Sequence, residues 1–438
     1  MKKGDKILTT HTVNQLVKLR RRTSARALRR TLVVLFPFVL VGTFAQLIID
    51  TLLMPDSFLY SILYLDRWVN PSVTRTLAKG FFVLNTVTIG MIGLYAAYAM
   101  AMYTAKLYHR DAQMAGLTGL MAMLMLAYRV SQNSRGNLDW MITSYGNLFS
   151  ALIIGYLVGQ SFRWLGKPRR EEINNHLDDV FERTYGAFKP MFLVFAVTLV
   201  LSVLLNLASY YSVVSQLYGS LQTVDDGNQP VWLKLLVILL STSLNWLGLG
   251  GPYYNGDLVL DSSQASADLT YLLAHHGSGA VPYPYLTSVL QKSFANFGGP
   301  GLTLALLIAL IFVTKQQNYH RLIRTNLIPV LFNSDYGFAV GLPVLLNPIY
   351  LIPVIVLPFV NLAIASLGIA WHWYPTPVYP IPQGTPGILY AFFGTNGNWV
   401  ALLMTLGLLA LDVACYVPFV KLALRVTNVV QDLDQEEK

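Results

Sequence analysis

The chain has 438 residues and a formal net charge of +9, yet only 12% of its residues are charged and 54% are hydrophobic. Soluble domains carry about 25% charged residues, so this composition, with a mean hydropathy of +0.49, excludes an ordinary soluble protein. It predicts an all-α polytopic integral membrane protein of about ten transmembrane helices plus re-entrant hairpins.

The positive charge is concentrated ahead of the first apolar run, from Lys2 to Arg30, which marks a cytoplasmic N-terminal side under the positive-inside rule. A nucleic-acid-binding arm is the competing reading of such a cluster, and the adjoining span disfavours it. Residues 1–30 read as a basic amphipathic helix with Leu8, Val13, Leu16 and Val17 on its apolar face. The segment is too long, and the run after it too long and without a cleavage site, for a removable signal. Spans follow over 31–54, 81–103, 114–128, 148–164 and 191–211. An aromatic interfacial segment (55–77), a polar external loop (129–146) and a charged amphipathic helix (168–188) separate them. Residues 212–230 read as external, and a sixth span covers 231–249.

Parity then fails. The run 302–313 also ends on basic residues, Lys315, Arg321 and Arg324, so residues 245–300 must contain a return crossing or re-entrant arms. From Leu331 to Ala370 a span-length apolar run follows Asn333, Ser334, Asp335, Gly337 and Gly341 and is crossed by Pro343, Pro348, Pro353 and Pro358. Backbone broken in this way is tolerated at membrane depth only beside protein or a water-filled cavity, and such segments point to a transporter's binding site. This stretch reads as a re-entrant hairpin leading into a span. The proline-rich run 377–396 is another re-entrant element, 399–420 is the last span, and the acidic tail is cytoplasmic and disordered. The resulting organisation is a basic segment (1–30), a scaffold and dimerisation half (31–205), an external linker (206–230), a transport half (231–425) and a tail (426–438).

Four stretches of the second half are LNWLGLGGPYYNG (244–256), FANFGGPGLTLAL (294–306), PVLFNSDYGFAVGLPVLLNPIYLIP (329–353) and PQGTPGILYAFFGTNGNW (382–399). Together they resemble the membrane permease (IIC) component of the bacterial sugar phosphotransferase system, lactose/cellobiose type. The resemblance implies a homodimer in the bacterial cell membrane with cytoplasmic termini. It implies inward movement of a disaccharide or oligosaccharide by an elevator-like motion, phosphorylation by a separate IIB protein supplied by IIA, and no cofactor. It places substrate-binding residues at Asn245, Gly250, Gly251, Tyr254, Asn255, Asn333, Asp335, Tyr336, Gln383 and Thr385. The chain departs from the family pattern at three of these. Gly250 stands for a histidine, Tyr336 for a glutamate and Gln383 for a tryptophan.

A neutral tyrosine is a poor base near neutral pH, because its free pKa is about 10, so the departures bear on coupling to phosphorylation. Two other readings stay open: a facilitator or sensor of another polar solute, and a transport-inactive membrane interaction protein. Asp335 is read either as a functional intramembrane carboxylate or as a hairpin-tip cap bonded to its own backbone. His275 and His276 lack further ligands at metal spacing and read as loop residues. Cys415, the single cysteine, lies in an apolar run and excludes an intramolecular disulfide.

Overall fold

The computed structural model describes residues 13–129, 136–168, 177–210, 229–247, 263–275, 280–342, 344 and 346–436. The described chain is helical apart from a two-stranded antiparallel ladder. Among the described residues six helical runs are long and apolar enough to cross a membrane, and three shorter apolar helices accompany them.

After a short helix over 13–20 (α1), α2 (Thr23–Ile48) runs into a π-helical turn, Ile49–Leu53. The basic residues Arg26, Arg29 and Arg30 thus lie on the spanning helix itself. The expected interfacial segment forms two short helices, α3 (Phe58–Ile62) and α4 (Leu65–Trp68), with Trp68 exposed. Next, α5 (Pro71–Asn85) starts at Asn70, whose side chain accepts from the Ser72 amide at 2.9 Å, with Pro71 in the first turn, where its missing donor costs nothing. A π-turn joins it to α6 (Ile92–Leu107). Asp111 caps α7 (Ala112–Ala127) by accepting from the Gln113 and Met114 amides, each at 3.0 Å. After α7, β1 (Tyr128–Arg129) pairs with β2 (Asn137–Leu138), before α8 (Trp140–Thr143) and α9 (Leu148–Leu165).

Two expectations are corrected. The amphipathic helix and the fifth span are one element, α10 (Leu177–Tyr210), because Pro190 sits inside the helix without ending it. In a membrane helix, neighbours re-satisfy the carbonyl a proline frees. The tail expected to be disordered is helical as far as Glu436, within α19. Val426 and Val430 on that segment are buried, so packing holds an end that charge content alone would leave loose.

The remaining helices are α11 (Val231–Trp246), α12 (Ser263–Ala274), α13 (Thr287–Phe294), α14 (Thr303–Val313), α15 (Gln317–Leu331), α16 (Tyr336–Gly341), α17 (Leu351–Ala370), α18 (Tyr390–Gly394) and α19 (Trp399–Glu436). The stretch 331–370 is broken as its composition requires, with α16 only six residues long. Residues 377–396 contain nothing longer than one turn of 3₁₀-helix and α18.

Two compact units emerge. The first comprises Met1–Val39, Val87–Val214 and Leu422–Lys438. Its core packs α6 against α7 and α9 through small residues. A Cβ on Gly155 of α9 would lie 2.5 Å from the Ala97 carbonyl oxygen of α6. Without a hydrophobic drive between helices in lipid, such close approach supplies the dispersion contacts that hold them. The second unit comprises Leu40–Thr86 and Ser215–Lys421. Its centre is α14, where Leu304, Ala305, Leu306, Leu307, Ala309 and Leu310 are all buried.

Candidate substrate site

Three broken segments of the second unit meet at one place. The loop Gly298–Gly301 precedes α14 and carries positive φ at all three of its glycines. Asn333 ends the turn after α15 in the left-handed region, with φ 62. Its side-chain oxygen accepts from the Gly298 amide at 2.9 Å, and its side-chain amide donates to the Thr385 carbonyl at 3.1 Å. One amide therefore ties the glycine loop, the hairpin tip and the proline-rich loop together. Thr303 closes the glycine loop by donating to the Gly298 carbonyl, and Tyr416 of α19 donates to the Gly301 carbonyl. These bonds satisfy carbonyls that irregular backbone would otherwise leave orphaned.

Asp335 is buried and makes no capping hydrogen bond to α16. Its carboxyl lies beside the Thr303 hydroxyl and directly against Gly299. A Cβ at position 299 would come within 2.6 Å of the Asp335 Cγ, so only glycine leaves room for the carboxyl. Thr43 of α2 accepts from the Gly337 amide at 3.0 Å, pinning the start of α16 to the first span.

The sequence reading overlooked two carboxylates. Asp50 lies in the π-turn ending α2 and accepts from the Gln46 side-chain amide at 2.7 Å, and Asn85 in turn donates to Gln46. The Asp50 backbone carbonyl abuts Gly384, where a Cβ would sit 2.5 Å from its oxygen. Asp412 of α19 is fully buried and accepts from the Asn361 side chain of α17 at 2.8 Å. The same Asn361 amide donates to the Phe294 carbonyl at 3.2 Å. Both residues interrupt apolar runs, and an ionisable group inside a predicted span was the signal available for finding them.

The expected site residues divide clearly. Asn333, Asp335 and Thr385 come together at the glycine loop. Tyr336 opens α16 beside them and is half-buried. Gln383 is exposed, and its backbone pairs with Asp56 and with Phe58 at the start of α3. Asn245 lies in the last turn of α11. Gly250, Gly251, Tyr254 and Asn255 lie outside the described residues. A separate cavity of about 620 Å³ opens where α17 ends and α19 begins, with Tyr285, Tyr374 and Tyr379 in its wall.

A helical membrane protein whose glycine- and proline-broken segments gather around buried polar side chains is the class that fold and site define. The chain belongs to the phosphotransferase system EIIC family, which it matches over residues 29–358. It is 21% identical over 293 residues to the PTS system oligo-beta-mannoside-specific EIIC component of Bacillus subtilis, covering 65% of this chain and 66% of that one. It is 36% identical over 207 residues to the PTS system cellobiose-specific EIIC component of Lactococcus lactis, covering 43% and 42%. It is 22% identical over 413 residues to the putative permease IIC component YwbA of B. subtilis, covering 90% of each. The crystal structure of the transporter ChbC, the IIC component from the N,N'-diacetylchitobiose-specific phosphotransferase system, is similar with a TM-score of 0.41 and 19% identity, covering 96% of both chains.

Proposed function

We propose that this chain is a sugar permease of the phosphotransferase type. It moves a disaccharide or oligosaccharide inward, and a separate cytoplasmic IIB protein, recharged by IIA, phosphorylates it. Family membership over residues 29–358 is the observation that carries this reading. The cellobiose and oligo-beta-mannoside specificities named for its relatives favour a β-linked glycoside. The protein resides in the cell membrane with both termini cytoplasmic. It forms a homodimer through residues 31–205, and residues 231–425 handle the sugar. Within that region Asn333, Asp335 and Thr385 hold the broken segments in register, leaving Tyr336 and Asn245 to meet the sugar.

A second reading, an uncoupled carrier, is favoured by one observation. The Asp335 carboxyl is packed against Gly299 and beside Thr303, which places it badly to replace the acid that Tyr336 lacks. The two readings separate by uptake of labelled cellobiose into oriented vesicles, with and without phosphoenolpyruvate and the soluble phosphorelay proteins. Sugar phosphate accumulating only with the relay supports coupling. Relay-independent equilibration supports the uncoupled carrier. No uptake of cellobiose, lactose or a β-mannobiose refutes both and leaves the interaction-protein reading.

A further inference from the structure

The cavity at the end of α17 lies far from the hairpin junction. Val354, near the start of α17, packs against the position of a Gly301 Cβ, whereas Ile369 and Ala370 at its other end line the cavity. Fifteen residues of helix separate Val354 from Ile369, or about 22 Å at 1.5 Å per residue. The cavity therefore belongs to the opposite end of the second unit. The charge pattern assigns that end, where Trp371 and Trp373 are exposed, to the outside.

Its wall is built firmly. The Tyr374 hydroxyl donates to the Ala365 carbonyl at 2.8 Å, and its ring packs on Phe294 with centroids 5.5 Å apart. Gly368 makes room for that ring, since a Cβ there would lie 2.7 Å from it. Lys234 donates to the Tyr285 carbonyl at 3.0 Å, and the Asn398 side-chain oxygen caps α19 by accepting from Val400 and Ala401.

The hydrogen-bonding groups left over define the ligand. The side chains of Tyr285, Thr376, Tyr379 and Asn396 have no hydrogen-bond partner among the described residues, and all four line the cavity. Among the described residues no Asp, Glu, Lys or Arg lines it, and its one basic side chain is His372. An ion would find no carboxylate, ammonium or guanidinium on the described wall, only the His372 imidazole. A purely apolar ligand would strip water from these four groups and return nothing to them. A molecule that is uncharged, carries many hydroxyls and presents apolar ring faces to tyrosines satisfies every part of the wall, and the volume falls within the ~300–1,000 Å³ typical of small-molecule sites. We propose that this cavity is a binding site for a neutral glycoside, distinct from the hairpin junction and accepting sugar at the opposite face of the unit. The proposal rests on the wall chemistry and does not require phosphorylation coupling.

The test is equilibrium binding to the purified full chain in lipid nanodiscs, with no relay proteins present. Trp371, Trp373 and Trp399 flank cavity residues in sequence and make intrinsic fluorescence a local reporter. The probes are cellobiose and its charged counterpart, cellobionic acid. Cellobiose is expected to give a saturable change, and the acid one that is weaker by about tenfold or more. Asn396→Gly keeps the left-handed backbone, φ 57, while deleting the amide. Tyr379→Phe deletes only a hydroxyl, so both variants should fold. Each is expected to weaken cellobiose binding by about tenfold with an unchanged unfolding temperature. Wild-type affinity in both variants, equal affinity for the acid, or no saturable cellobiose signal would overturn the proposal. Because transport is not read, failure here stays separate from failure of the permease reading.

Discussion

Asn333 is the residue on which the junction of broken segments should depend most. Replacing it with alanine removes an acceptor from the buried Gly298 amide and a donor from the Thr385 carbonyl. Two lost hydrogen bonds amount to about 1–3 kcal/mol at 0.5–1.5 each. Interhelical bonds in one measured membrane protein average only about 0.6 kcal/mol, because the unfolded state in lipid also finds partners, so the lower half of that range applies. Alanine at φ 62 adds a second cost, about 1 kcal/mol for a Cβ in the left-handed region that asparagine tolerates better. The expected loss is about 2–3 kcal/mol for Asn333→Ala. Asn333→Gly loses the same two bonds but is free of the backbone term, so it should be milder by about 1 kcal/mol. The single cysteine, Cys415, is half-buried in α19 and provides the assay: a thiol-reactive fluorophore followed through a thermal ramp in detergent. An Asn333→Ala midpoint equal to wild type would refute the bridging role. Glycine and alanine variants with equal losses would refute the conformational part.

Other consequences are testable in the same assay or by reversible unfolding. Asn361→Leu should destabilise the protein because it leaves the Asp412 carboxyl and the Phe294 carbonyl buried without their donor. The double variant Asn361→Leu/Asp412→Leu should recover part of that loss, since removing both partners costs less than stranding one; a double-mutant cycle with no coupling would contradict it. Gly155→Val should separate α9 from α6 and cost about 1–3 kcal/mol by overpacking, seen as a lower unfolding midpoint. Tyr416→Phe should lose its bond to the Gly301 carbonyl, at about 1 kcal/mol. Asp268, on α12 outside the long spanning helices, has its carboxyl pushed up by burial, against the lowering effects of the Tyr283 amide and of Lys234. A carboxyl raised in the folded state binds its proton more tightly there than when unfolded. Its contribution is therefore present at acid pH and is lost as pH rises from about 4, the ordinary carboxylate value, through the folded value. Asp268→Asn should flatten the wild-type fall in midpoint over that window, and parallel pH profiles would refute the assignment.

The linear order of amino acids determined the membrane character and most spans of this protein. Long apolar runs and their flanking charges report transfer into lipid, a property of each segment on its own. The break at 331–350 was equally legible, because proline and glycine act locally on the backbone. The reach of helices past their apolar windows was not. The continuity of α10 through Pro190 and of α19 to Glu436 depends on neighbours that replace lost bonds or bury Val426 and Val430. The site divides along the same line. Asn333 and Asp335 stood out as polar residues at membrane depth, but whether they face a ligand or a neighbouring loop is a matter of distance. Only the fold puts Asn333 against Gly298 and Thr385, and Asp335 against Gly299. Asp412 and Asn361 are separated by 51 positions along the chain and meet only because α17 packs beside α19. The cavity at the end of α17 is likewise assembled from four separate stretches, at Leu272 and around 280–285, 369–379 and 395–398. Hydropathy is a sum over one segment, whereas a site is a coincidence of several, and tertiary packing alone brings them to the same place.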